Sequence, residues 1–154
     1  IEHYENSDEP TLIVFFGDHL PSLGSEYSSY IETNFINSAN EQDLALSDKV
    51  KMKQTPLVLW SNYKTIEQTK SVLSPSFLAP LILKEANLEM PKYYKFLKDF
   101  SDKLPGYTKT VKVSEDNTHS EKTPEKYKEL EDIYEMIQYD LLFGNQYSKE
   151  LLFD

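Results

Sequence analysis

The chain has 154 residues, no cysteine and a formal net charge of −10. That acidity argues against a nucleic-acid partner, which needs a basic footprint, and the missing cysteine excludes disulfides, thiolate metal sites and cysteine nucleophiles. Hydrophobic residues make up 39% and aromatic residues 13%, with eleven Tyr and eight Phe, which supports a core of about single-domain size rather than global disorder.

The chain opens on Ile1 with "IEHYENSDEP", which reads as the tail of a helix. The expectation is a piece cut from a longer protein, without a signal peptide of its own. No run reaches the roughly 18 apolar residues of a membrane span. Asp8, Glu9 and Pro10 mark a turn that feeds "TLIVFF", Thr11 to Phe16. This run has no polar–apolar alternation, so both faces are apolar and a parallel strand covered by helices is expected. Gly17 then lets the chain bend sharply. Asp18 and His19 follow at once, and Pro21 holds the outgoing chain extended.

Tyr27, Tyr30, Ile31 and Phe35 stand near helical spacing and predict a short helix. Residues 36–54 are polar and weakly patterned, and read as a surface excursion. Its Lys49 to Lys53 stretch is a local basic element in a chain otherwise ill suited to anionic lipid. "TPLVLW", Thr55 to Trp60, predicts a second strand apolar on both faces, ending at Trp60, Ser61 and Asn62.

Three helices follow. The first starts at Ser74–Pro75, or at Pro80 with Ser76 as its cap. The second begins at Pro91, carries Tyr93, Leu97, Phe100 and Leu104 on one stripe, and stops at Pro105–Gly106. The third is capped by Thr123–Pro124, lines up Tyr127, Leu130, Tyr134, Ile137 and Leu141, and ends at Gly144. These stripes are core-forming. "YTKTVKV", Tyr107 to Val113, alternates like an edge strand. Residues 114–122 are polar, lack periodicity and read as a mobile loop. Leu151, Leu152 and Phe153 give the tail the means to dock on the body.

In open α/β sheets, ligands bind beyond the carboxyl ends of the strands. Asp18 and His19 sit at such an end. A carboxylate and a neutral imidazole in a turn suit one divalent ion, Mn²⁺ or Zn²⁺. Such an ion polarises a phosphoryl or sulfuryl oxygen and lowers the pKa of a bound hydroxyl. The competing reading is an Asp that hydrogen-bonds its own backbone. His3 and His119 are placed in solvent. Trp60, Ser61 and Asn62 are candidate cleft-lining residues near Asp18, with a packing or turn role as the alternative. The carboxylate pairs in "SDE", "LEDIYE" and "SED" are solvated. No glycine-rich phosphate loop, nucleophile elbow or His-Glu-x-x-His helix is present.

"FFGDHLPSLG" followed by "TPLVLWSNY" resembles the C-terminal part of sulfatase-type enzymes of the alkaline phosphatase superfamily. More narrowly it is similar to the lipoteichoic acid synthase and phosphoglycerol transferase branch. "FLAPLILKEANLEMPKYYKFL" and "IQYDLLFGNQYS" extend the similarity over most of the chain. The resemblance implies an α/β architecture, a mostly parallel sheet flanked by helices, of which residues 1–154 form the C-terminal fragment. It implies Asp18 and His19 as ligands of a catalytic metal, Mn²⁺ foremost with Mg²⁺ or Zn²⁺ as alternatives. It implies a lipid-linked glycerol phosphate or similar phosphodiester as substrate, and a location on the extracellular face of the membrane. The family's nucleophile, typically a threonine, and the remaining ligands have no counterpart here. The expected partner is therefore the missing N-terminal half of the catalytic domain, and the fragment alone is expected to be inactive. The second reading is a non-catalytic cell-surface binding module, with tyrosines and Trp60 as a platform for glycans.

Overall fold

In the computed structural model, which describes residues 1–67 and 72–153, the unbroken apolar run forms strand β1, Leu12–Phe16. It follows a single helical turn, α1, Glu2–Glu5. Strand β2, Leu57–Ser61, pairs with it in antiparallel register, Phe16 opposite Leu57 and Leu12 opposite Ser61. The expected parallel pairing is thus corrected. A continuous apolar run is compatible with either direction. What decides it is the intervening excursion, which leaves and returns at the same end of β1. There the Gly17 N–H donates to the Pro56 carbonyl at 3.1 Å and Thr55 Oγ1 donates to the Gly17 carbonyl at 2.6 Å. The expectation that both faces are covered also fails at this end: Phe15, Phe16, Leu57 and Val58 are exposed.

The chain divides into two compact units, Ile1–Glu67 and Gln68–Asp154. In the first, the stretch between the strands carries α2, Ser28–Glu32, where the spacing predicts a short helix, and α3, Leu46–Lys53, inside residues 36–54, which the polar composition left unpatterned. Its small core is Tyr30, Ile36 and Leu44, with Leu20, Ile31 and Met52 packed on it. Two of the α3 lysines are engaged locally. Lys51 pairs with the buried Asp48 at 2.7 Å and Lys53 with Glu41 at 3.3 Å.

The second unit holds the predicted helices. Pro75–Phe77 form a 3-10 turn that runs into α4, Leu78–Glu85, with Pro80 buried in its first turn. Ser74 stands at the predicted cap position, yet its hydroxyl is used elsewhere. It accepts the Tyr107 N–H at 2.7 Å and donates to the Tyr107 carbonyl at 3.0 Å. Helix α5, Lys92–Lys103, and helix α6, Lys128–Phe143, present the expected stripes. Phe77, Leu97, Phe100, Leu104, Tyr127 and Tyr134 make one cluster. Phe100 and Tyr134 pack ring to ring at 4.9 Å, which adds aromatic geometry to plain burial. Helix α7, Tyr147–Leu152, follows, and the Phe153 ring packs against Tyr93 in a tilted arrangement, centroids 5.0 Å apart.

The predicted edge strand is a hairpin, β3, Gly106–Tyr107, and β4, Lys112–Val113. A third strand, β5, His119–Ser120, pairs with β4 and lies inside the stretch read as a polar loop. Its ladder is short and its residues polar, so neither hydrophobicity nor period marks it. Among the described residues both sheets are antiparallel, and no parallel pair occurs.

Candidate functional site

The sequence placed Asp18 and His19 where the first strand ends, and the structure brings the two side chains together. His19 Nε2 lies 3.7 Å from Asp18 Oδ2. One ion at ordinary ligand distances of about 2.1 Å reaches both. Both side chains are open to solvent, His19 at 76% and Asp18 at 81% exposure. They are neither sealed into the interior nor spent on a distant structural partner.

Local hydrogen bonds set their chemistry. Asp18 Oδ1 accepts the His19 backbone N–H at 2.9 Å, leaving Oδ2 outward. This is the turn-forming role that competed with the ligand role, and the geometry accommodates both, one oxygen for each. His19 Nδ1 sits 2.8 Å from the Leu20 carbonyl oxygen. A carbonyl can only accept, so Nδ1 carries the proton and the neutral ring keeps its lone pair on Nε2. Metal-binding histidines are commonly oriented by such a backbone contact.

Gly17 serves this turn by its lack of bulk. A Cβ there would stand 3.0 Å from Thr55 Cβ. Its φ is not among the positive values in the chain, where Gly24 is the one glycine. Close approach to Thr55, rather than a left-handed bend, is the reason for glycine.

Trp60, Ser61 and Asn62 do not line a cleft beside Asp18. Antiparallel register sets Trp60 opposite Ile13 and Ser61 opposite Leu12, about 10 and 14 Å along β1 from its Phe16 end at strand rise. Asn62 is a structural hub at that far end. The residues beside the Asp–His turn are instead Thr55, Pro56, Leu20 and Tyr30. Thr55 had a signal, the Thr-Pro before an apolar run. Tyr30 read only as a helix-stripe residue.

His3 and His119 are exposed, as expected, in α1 and β5. Among the described residues no group of three or more His, Cys, Asp or Glu is arranged to hold a metal ion. Asp18 and His19 fit a divalent cation by donor type and spacing, as two ligands of a larger set. Six of the eleven tyrosines are used in packing. Tyr30, Tyr127 and Tyr134 are buried, Tyr93, Tyr94 and Tyr107 pack on the second core, and Trp60 is half-buried. Among the described residues, no helix is long and apolar enough to cross a membrane.

Comparison with known proteins adds a second line of evidence. Residues 3–88, more than half of the chain, match the family described as Sulfatase. The chain is also 36% identical over 150 residues to a protein of Rhizobium meliloti (strain 1021) named "Putative cyclic beta-1,2-glucan modification protein". That alignment covers 95% of this chain and 23% of the relative, so the chain spans about a quarter of the relative's length. No solved structure matches the chain significantly.

Proposed function

The chain belongs to the sulfatase family, and on that premise we propose that it supplies the Asp18–His19 part of a divalent-metal centre in an enzyme that transfers phosphoglycerol from a lipid-linked donor to a glycan hydroxyl. Membership makes the parent a hydrolase- or transferase-type enzyme with an alkaline-phosphatase-like α/β fold. The narrower reading is ours. Its donor comes from the resemblance carried by "FFGDHLP" and "TPLVLW", and its acceptor class from the name of the Rhizobium relative.

The observation that carries the proposal is the convergence of Asp18 Oδ2 and His19 Nε2 at 3.7 Å with the imidazole tautomer set for Nε2. Asp18 brings the charge that makes a cation site worth its desolvation, and His19 a neutral nitrogen held in orientation. A divalent ion, Mn²⁺ foremost with Mg²⁺ or Zn²⁺ as alternatives, supplies Lewis-acid polarisation of the phosphoryl oxygen when bound. The remaining ligands and the nucleophile come from polypeptide outside these residues, in a parent that works at the outer face of the membrane.

The test uses the full-length protein that carries this chain, with phosphatidylglycerol as donor and a β-glucan as acceptor. Asp18→Ala and His19→Ala are each expected to lower transfer by at least about a hundredfold, since losing a residue that only supports a metal ligand already costs about 10–100-fold. Chelation should do the same. Transfer at the wild-type rate in both variants overturns the reading. Hydrolysis of an aryl sulfate without phosphoglycerol transfer replaces the transferase by a sulfatase. Glycan binding that ignores both metal and Asp18→Ala replaces the enzyme by a binding module.

A further inference from the structure

We infer that Thr55 and Tyr30 are positioning residues for the Asp18–His19 pair, two hydroxyls that clamp the turn from its two ends. The inference rests on the reading of that pair as metal ligands. Because both side chains are mostly exposed, side-chain packing does not aim them, and the backbone of the turn must.

On the incoming side, Thr55 Oγ1 donates to the Gly17 carbonyl at 2.6 Å. That carbonyl belongs to the peptide unit joining Gly17 to Asp18, so the bond fixes the plane from which Asp18 projects. The Gly17 N–H is held as well, by Pro56 at 3.1 Å. The absence of a Cβ at Gly17 is what admits Thr55 so closely.

On the outgoing side, Tyr30 Oη donates to the Pro21 carbonyl at 2.7 Å. Its ring is buried with Ile36 and Leu44, and Leu20 packs on the same cluster. Leu20 also offers the carbonyl that fixes the His19 tautomer. The small core of the first unit therefore holds the residue that orients the imidazole. Neither Thr55 nor Tyr30 is a ligand in this arrangement. Each acts through the main chain, and small changes at such supporting bonds displace the donors they aim.

The experiment is a titration of the metal-stripped full-length protein with Mn²⁺ alone, reading free Mn²⁺ by electron paramagnetic resonance. It is run at a temperature where the thermal midpoints in chelator show every variant folded. A merely structural role then moves the midpoint and leaves the Kd unchanged. Thr55→Val and Tyr30→Phe, which remove only the hydroxyl function, are expected to raise the Kd about tenfold. Thr55→Ser keeps the hydroxyl and is expected to stay within about twofold of wild type. If Tyr30→Phe fails to fold, the Thr55→Val and Thr55→Ser contrast decides alone. Wild-type Mn²⁺ affinity in Thr55→Val, with binding abolished in Asp18→Ala, overturns the clamp and leaves the ligand pair standing. Wild-type affinity in both Asp18→Ala and His19→Ala overturns the ligand pair and the clamp together.

Discussion

Asn62 holds Thr11 from two sides: its Oδ1 accepts the Thr11 N–H at 2.8 Å, and its own N–H donates to the Thr11 carbonyl at 3.2 Å. Its Nδ2 group is shared among the carbonyls of Tyr4, Glu9 and Ser7, at 2.9, 3.0 and 3.2 Å. One amide thus ties the chain ahead of β1 to the end of β2. It satisfies backbone groups that no regular element serves.

Asn62→Ala should therefore destabilise the first unit by about 1–2 kcal/mol, because the hydrogen bonds it loses are half-buried or exposed and each contributes modestly. Asn62→Asp should cost more, because a carboxylate keeps the acceptor for Thr11 but faces three carbonyl oxygens where the amide donated. Urea denaturation followed by Trp60 fluorescence measures both. Wild-type stability in the Asn62→Asp variant would show that Nδ2 contributes nothing.

The same residue shows where sequence reading stops. Trp60, Ser61 and Asn62 were drawn to Asp18 by the assumption of parallel strands, and one reversal of direction carried all three to the far end. Nothing in "TLIVFF" or "TPLVLW" encodes direction, since an unbroken apolar run looks the same from either end. The helices were legible because burial imposes a period. Leu97 and Phe100 on α5 with Leu104 at its end, and Tyr134 and Ile137 on α6 with Tyr127 just before it, are buried where the spacing placed them. Asp18 and His19 were legible because their adjacency is covalent and their placement needed only a strand end. Thr55 and Tyr30 meet the turn through the tertiary fold, which no spacing announces. Ser74 and Thr123 show the converse, since the sequence offers each as a helix cap and each spends its hydroxyl on a partner elsewhere, with Pro124 taking the cap position after Thr123.

Glu131 makes the stability of the second unit depend on pH. It is buried at 6% exposure and accepts from Thr123 Oγ1 at 2.5 Å, Lys128 Nζ at 2.7 Å and Tyr107 Oη at 2.9 Å. Burial pushes its carboxyl up, and the bonds from Lys128, Thr123 and Tyr107 together outweigh it, so the pKa falls below the ordinary 4.5. Burial first, and then Glu131 and Glu135, drive the Tyr107 phenol far above its usual range, so it remains a donor. A depressed carboxyl stabilises the fold above the unfolded value, and that contribution is lost as pH falls through the folded value. Glu131→Gln should cost about 2–3 kcal/mol near neutral pH, the scale of hydrogen bonds to a charged group. The gap to wild type should start to narrow as pH falls below 4.5 and close only below the depressed folded value, where both chains carry a neutral side chain. A gap that stays constant into acid would remove Glu131 as the source.

The β1–β2 ribbon presents apolar side chains on both faces at its Asp18 end. Phe15 lies opposite Val58 on one face and Phe16 opposite Leu57 on the other, and all four are exposed, Phe15 at 66%. Uncovered apolar surface of this kind binds partners or drives association, and a two-stranded ribbon has outer edges that invite further pairing. The 154-residue chain should bind a hydrophobic dye and sediment with concentration-dependent mass. Phe15→Thr with Val58→Thr puts a strand-compatible β-branched residue at both positions while stripping one face, and should lower dye fluorescence by about twofold or more. The exposed Met136, Tyr139 and Phe143 of α6 supply the internal control. If the double variant binds dye like wild type and Phe143→Ser does not, the adhesive surface lies on α6 and not on the ribbon.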